Sequence, residues 1–455
     1  MHVSILNSAS LYFLIPPAAT TLLIAQAATL ISTLLSLHEC EHIKLSKPLL
    51  FNSSSSHLPF VSACKLVNKA TQEIFRSSSK PGPCTFDIEN YDGGLPSIIS
   101  KPYSWTKVAN IIFIDAPVGT GFSYANTSQG SFSSDIKSAK DIFTFLRKWL
   151  LNHSMFLKNR LYIVGESYGG KLVPMVVMEI VRGNEARLQP QMSFQGYIIG
   201  NGLTDPIIDF NARIPYAHRM SLISDEYFEL AKISCAGKYY NRDPNNVQCA
   251  YALQRIQKCL SHIKQINILE PNCGDGASKQ DDFGWHQTFS KDNSNDHLIL
   301  PTGEQECLNQ DYAITNEWAN APIVQEALHI RKGTITRWKT CNGGIYYKQN
   351  VESALEYHKI LIKKGYHALV FNGDHDMAAP YMGPLKWIRI LNLTIDDDWR
   401  AWLVNGQVAG YTEKYKKNDF DLTFVTIKGA GHSASMNKPE ECLAMIHRWL
   451  SRRPI

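Results

Sequence analysis

The sequence predicts an α/β domain: a mostly parallel central sheet with helices on both faces, interrupted by an inserted cap that disulfides hold. Three observations carry this reading. Apolar runs of strand length alternate with segments of helical period through residues 110–205 and again from 368 to the C-terminus. Between them, over 206–315, the alternation stops and five cysteines gather: Cys235, Cys249, Cys259, Cys273 and Cys307. A chain of 455 residues with 44% hydrophobic content can bury a large core and still carry an insertion.

The elements follow in order. The first 37 residues contain no Lys, Arg, Asp or Glu, and Leu11–Leu37 is mostly apolar but broken by Pro16-Pro17. Residues 1–37 read as an apolar leader, a signal peptide or an anchor, and an N-terminal anchor is the only membrane contact expected. Residues 38–81 are irregular, with the serine-rich runs "FNSSSSH" and "RSSSKPGP". The core then occupies 82–205 and 316–455. "NIIFID" (110–115) is a buried strand, and "PVGTGFSY" (117–124) a glycine-rich loop. Ala139, Ile142, Phe143, Leu146, Trp149 and Leu150 recur at helical spacing. "LYIV" (161–164) is the next strand, and a helix follows over 168–182 with Gly183 as its stop signal. "FQGYIIG" (194–200), "ALVFNG" (368–373) and "LTFVTIKG" (422–429) are further strands. The last helix opens at Pro439-Glu440-Glu441 and turns Cys442, Ile446, Trp449 and Leu450 inward.

Several functions are excluded or located by composition. A net charge of +5 with no Lys/Arg block gives nucleic acid no footprint. Ten cysteines without a C-x-x-C pair, and N-x-S/T acceptors at Asn52, Asn126, Asn152 and Asn392, favour an oxidising secretory compartment. "HECEH" (38–42) matches a zinc-protease pattern, but it abuts the leader in irregular sequence, so no metal is expected. No G-x-G-x-x-G joins a strand to a helix, and no cofactor is expected.

The chemistry concentrates in "LYIVGESYGG" (161–170). G-x-S-x-G between a strand and a helix is a nucleophile elbow, whose glycines permit a turn too tight for side chains. A serine hydroxyl needs a base, and the base needs an orienting carboxylate. "FNGDHDMAAP" (371–380) and "KGAGHSASMNKPE" (428–440) each follow a strand and offer them. The candidates are Ser167 as nucleophile, His432 as base and Asp376 as orienter; Asp374 directly follows the turn glycine and caps it instead. Ser, Asp, His is the chain order of the α/β-hydrolases. Glu166 has two readings. It binds a substrate carboxylate, being protonated or paired with another acid, or it makes a structural hydrogen bond in the elbow. Gly119 and Thr120 of the glycine-rich loop are the other substrate-binding candidates.

"PYSWTKVANIIFIDAPVGTGFSYA", "VGESYGGKLVP", "GYIIGNGLTDP", "RIPYAHRMSLISDE", "NGDHDMAAP" and "IKGAGHSA" resemble the plant serine carboxypeptidase-like proteins, α/β-hydrolases of the serine carboxypeptidase family. The resemblance runs from about Gly82 to the C-terminus. It implies the same roles for Ser167, Asp376 and His432, with the Tyr168 N–H as one oxyanion donor. It also implies cap disulfides Cys235–Cys249 and Cys273–Cys307, and a secreted or vacuolar protein. Two activities are implied through one acyl-enzyme: removal of a peptide's C-terminal residue, or transfer of an acyl group from a glucose ester to a small alcohol. The later motifs resemble the acyltransferase clade, whereas Glu166 is the usual peptidase residue.

One family feature is missing. A W-L-x-G-G-P-G-C-S segment, source of the second oxyanion donor, should precede "GPCTFDIENYDGG" (82–94), and none is present. The family's first strands have no visible counterpart in 1–81, so the N-terminal strands are expected to be incomplete. The alternative is then a catalytically impaired or non-catalytic binding member, or a truncated gene product. Cys84 and Cys64 are both candidate partners for Cys341.

Overall fold

The computed structural model describes residues 10–16, 81–272, 310–340 and 342–455. Its main sheet has eight strands. They are β1 (Ser10–Ile15), β2 (Asn110–Ile114), β3 (Leu161–Glu166), β4 (Phe194–Gly200), β5 (His367–Gly373), β6 (Thr394–Val404), β7 (Gln407–Lys417) and β8 (Phe420–Ile427). Across the sheet they lie in the order β6-β7-β8-β5-β4-β3-β1-β2. The pairings β8–β5, β5–β4 and β4–β3 are parallel. β1 runs antiparallel to both of its neighbours, and β7 to both of its own. The sheet is therefore mixed, with β1 and β7 opposing the other strands.

Helices cover both faces, as strands buried on two sides require. Helices α1 (Asp135–Asn152) and α2 (Gly169–Glu185) lie on one face. The last helix, Pro439–Leu450, lies on the other, with Cys442, Ile446, Trp449 and Leu450 buried. Ser134 caps α1 by accepting the Lys137 N–H, and Ala139, Ile142, Leu146, Trp149 and Leu150 are buried as their spacing predicts. Gly183 is not the stop of α2, which continues to Glu185. A Cβ at Gly183 would meet Phe143 Cζ at 2.5 Å, so this glycine lets α1 and α2 approach each other.

The leader is where sequence and structure differ most. Leu11–Ile15 was expected within an apolar leader; Ser10–Ile15 instead forms β1, between β3 and β2. Leu11, Tyr12, Phe13, Leu14 and Ile15 are all buried. Leu11, Phe13 and Ile15 enter the core beneath α1 and α2, and Tyr12 and Leu14 enter the opposite core. A run apolar at every position suits a strand buried on both faces as well as it suits a leader. β1 thus fills the position between β3 and β2 while running opposite to both.

The inserted cap begins with α3 (Pro206–Asn211), α4 (Arg213–Arg219), α5 (Asp225–Cys235) and α6 (Val247–Leu260). Ile214, Ala217, Ala231, Ala252 and Ile256 form its own small core, which Met377 joins from the core domain. The disulfide Cys235–Cys249 ties the end of α5 to α6. Cys273, Cys307, Cys341, Cys64, Asn52 and "HECEH" lie outside the described residues. Asn126, Asn152 and Asn392 are exposed. Among the described residues no helix is long and apolar enough to cross a membrane, and no group of three or more His, Cys, Asp or Glu could hold a metal ion.

Candidate active site

Ser167 sits between β3 and α2 with φ at +57°, in the left-handed region. That strain costs roughly 1–2 kcal/mol, so the surroundings must impose it. The Ser167 N–H donates to Gly200 O at 3.1 Å, and Ser167 O accepts from Gly170 and Leu203 at 3.0 and 2.9 Å. A Cβ at Gly165 would lie 2.6 Å from Val173 Cγ2, and one at Gly170 would lie 2.7 Å from Leu203 N. Both glycines are required for the sharp turn from strand to helix.

The loops after β5 and β8 bring two more residues to Ser167. His432 Nε2 lies 2.9 Å from Ser167 Oγ. His432 Nδ1 lies 2.7 Å from Asp376 Oδ2. If Nδ1 carries the proton and donates it to the carboxylate, Nε2 can accept from the serine hydroxyl. Asp376 is fully buried. Its Oδ1 accepts the Ala379 N–H at 3.0 Å, and its Oδ2 also accepts from Asn201 Nδ2 at 2.9 Å. Asp374 has a different place: its Oδ1 accepts the Gly429 N–H at 2.7 Å and lies 2.5 Å from His375 Nδ1.

Two supports escaped the sequence reading. Asn201, at the end of β4, also donates to Gly431 O at 3.3 Å, so it joins the Asp376 and His432 loops. Its φ of +44° suits asparagine better than most residues. The second support comes from the cap. After α6, the Gln265 carbonyl accepts from Met377 and Ala378 at 2.9 and 3.0 Å. The Ile266 carbonyl accepts the His432 N–H at 2.6 Å, and the Ile268 N–H donates to His375 O at 3.1 Å. This strap pins both loops from the cap side.

Glu166 is 5% exposed and accepts the Tyr12 hydroxyl on Oε1 at 3.2 Å. Burial, then the nearby Glu166 charge, hold the Tyr12 pKa well above its ordinary value, so Tyr12 remains a donor. The same two causes raise the pKa of the buried Cys442 thiol on the last helix. Tyr168 precedes the first turn of α2, where an N–H has no intrahelical acceptor and can point at an anion. Its hydroxyl donates to the buried Asp135 at the start of α1, which also accepts Tyr347 at 2.8 Å and the Val351 N–H at 2.9 Å. Burial raises the pKa of Tyr168, aided by Tyr347 and Asp135. Lys171 Nζ lies 5.1 Å from the centre of the Tyr168 ring, and burial lowers its pKa.

Gly119 and Thr120 lie on a different loop. Their loop follows β2, and β1 separates β2 from β3. Gly119 O accepts from Asn342 Nδ2 at 2.9 Å, and Thr120 Oγ1 is buried without a partner among the described residues.

The direction of β1 bears on the oxyanion hole. Ser10 pairs with Glu166, whereas Leu14 pairs with Tyr162 at the far end of β3. The chain leaves β1 at that far end, where Asn159 Nδ2 donates to Pro16 O at 3.4 Å. A parallel strand here would deliver its following loop, and a second N–H donor, to Ser167. This one ends, at Ile15 and Pro16, at the opposite end of β3 from Ser167.

A sequence model described as serine carboxypeptidase matches residues 78–452. The chain belongs to the serine carboxypeptidase family. Among curated relatives, "Serine carboxypeptidase-like 17" and "Serine carboxypeptidase-like 2" of Arabidopsis thaliana are each 42% identical over 374 residues, covering 82% of this chain and 78% of the relative. A crystal structure of Kex1(delta)p, a prohormone-processing carboxypeptidase from Saccharomyces cerevisiae, superposes with a TM-score of 0.61. It is 18% identical and covers 82% of this chain and 79% of that one, a likeness of fold, the α/β-hydrolase fold. As a serine carboxypeptidase family member, the chain has a match that starts downstream of β1.

Proposed function

We propose that the chain forms an acyl-enzyme at Ser167. The carrying observation is the connected path from Ser167 Oγ through His432 to Asp376, with links of 2.9 and 2.7 Å. His432 takes the serine proton as Oγ attacks a carbonyl carbon, and Asp376 holds the imidazole and offsets its charge. The Tyr168 N–H donates to the developing oxyanion. The leaving group departs with the proton from His432. Water or an alcohol then attacks the ester with His432 again as base, which makes the outcome hydrolysis or acyl transfer. The substrates are a peptide C-terminus, or an acyl-glucose donor with a small alcohol acceptor. The disulfide Cys235–Cys249 and the exposed sequons support a glycosylated protein of the secretory route, secreted or vacuolar.

The test is labelling of the purified chain with a fluorophosphonate probe, with Ser167→Ala as control. Labelling that depends on Ser167 is the expected result, and glucose esters and blocked peptides are then compared as donors. A folded protein that stays unlabelled would sink the acyl-enzyme reading. A second reading has its own observation, the direction of β1. With Tyr168 as the sole oxyanion donor among the described residues, the rate falls by roughly 10²–10³, about 3–4 kcal/mol. On that reading the chain is an impaired enzyme or a binding protein, and labelling is slower than that of an intact family member by this factor.

A further inference from the structure

Tyr12 is remote from the elbow in sequence and lies upstream of the residues that match the family. Its side chain is nevertheless completely buried beside the elbow. The ring is fixed on two sides, with centroids 5.8 Å from Trp105 and 5.4 Å from Phe113. The hydroxyl then reaches Glu166, the residue next to Ser167. The backbone fixes the same pair again, because Ser10 pairs with Glu166 and Leu11 with Gly165. On its other edge β1 holds β2 through five registered residue pairs, and Asn110 Nδ2 donates to Ile15 O at 3.0 Å.

We infer that Tyr12 is a positioning residue for Glu166 and the serine elbow, carried on a strand that the mature chain keeps. The inference rests on the acyl-enzyme reading for its effect on reactivity, but not for the strand. Removing β1 would uncover the facing edges of β3 and β2 and leave buried backbone groups without partners. It would also empty both cores of five apolar side chains. A leader cleaved after Ile15 is incompatible with this sheet. Tyr12 acts through Glu166. A hydroxyl donating to a buried carboxylate fixes its rotamer and keeps it from turning toward Ser167. Glu166 is thereby held in one orientation beside Ser167.

The test uses the full chain secreted from a eukaryotic host, the variants Tyr12→Phe and Glu166→Gln, and their combination. Hydrogen exchange and the rate of fluorophosphonate labelling are the readouts. Peptides spanning Leu11–Ile15 are expected in the purified folded protein, exchanging as slowly as those of β3. Tyr12→Phe keeps the ring contacts, so melting is expected to stay within a few degrees of native. Exchange at Gly165–Tyr168 is expected to accelerate, and labelling to slow about tenfold, the scale of one charge-assisted hydrogen bond. The double variant is expected to be no slower than the slower single one, because both changes act on one link, Tyr12→Phe by removing the donor and Glu166→Gln by removing the acceptor's charge. The inference is overturned if the folded protein lacks Leu11–Ile15, if that segment exchanges like a free peptide, or if Tyr12→Phe behaves as native in both readouts. Effects that multiply in the double variant overturn the route through Glu166. If the native chain takes no probe, the acyl-enzyme reading fails alone. Exchange at the elbow in Tyr12→Phe then decides the inference: faster exchange supports it, and native exchange overturns it.

Discussion

Replacing Asn201 tests how the base is held. Its Nδ2 donates to Asp376 Oδ2 at 2.9 Å, the oxygen that faces His432 Nδ1, and to Gly431 O at 3.3 Å. Asn201→Ala removes both bonds and leaves Asp376 fully buried with one fewer donor. A hydrogen bond to a charged group contributes about 1.5–3 kcal/mol. If about 2 kcal/mol of that loss reaches the transition state, labelling of Ser167 slows about 30-fold at 1.36 kcal/mol per decade. Alanine also has to adopt the φ of +44°, at roughly 1 kcal/mol. Asn201→Gly removes the same bonds without that strain, which separates the two causes. The assay is the second-order labelling rate of each variant, with thermal melting recorded in parallel. Both variants are expected to label slowly, with glycine melting higher than alanine. Native-rate labelling by Asn201→Ala would refute the argument. Recovery of the rate in Asn201→Gly would assign the effect to backbone strain instead.

Three further outcomes are expected. Ser167→Gly abolishes labelling but relieves the φ of +57°, so it should stabilise the protein by about 1 kcal/mol, read as a higher melting temperature. Gly431→Ala puts a Cβ 2.5 Å from both Asn267 Cβ and Ile266 O; labelling should fall at least tenfold and melting should drop, at an overpacking cost of about 1–3 kcal/mol. Burial is the main cause that raises the Asp209 pKa to about 7, against hydrogen bonds from Asp205 and Thr204. A raised acid favours folding below its unfolded pKa, and that stability is lost as pH rises from about 4 through 7. Asp209→Asn should flatten melting temperature against pH in this window, and an unchanged slope would assign the slope to other groups.

The parts of the fold that were legible share a cause: local pattern and tertiary role agreed. The elbow, the stripe of α1 and the stripe of the last helix are of this kind. So are the positions of Asp376 and His432 just past strand ends, where parallel sheets place their sites. The hairpin β6–β7 had a signal that went unused. Asn405 and Gly406, at φ of +50° and +74°, form its turn, and Asn-Gly is the strongest short hairpin cue. Gly183 misled because a glycine near a helix end reads as a stop, whereas here Phe143 requires it. β1 could not be read at all. Its five apolar residues carry no period, and only partners about 100 and 150 residues later assign them to a sheet. Asn201, Tyr12 and the strap after α6 share that difficulty, since each works across a distance in sequence that no motif records.

The strap also limits how the molecule can move. A cap that opened as a hinged lid would break four backbone hydrogen bonds, from Met377, Ala378 and His432 to the cap and from Ile268 back to His375. At about 1 kcal/mol each, the open state would lie about 4 kcal/mol higher and be populated about once in a thousand molecules. Those bonds also hold the loops of Asp376 and His432, so an open molecule would release its base while admitting its ligand. Opening at the strap and an assembled base are therefore mutually exclusive states of this molecule.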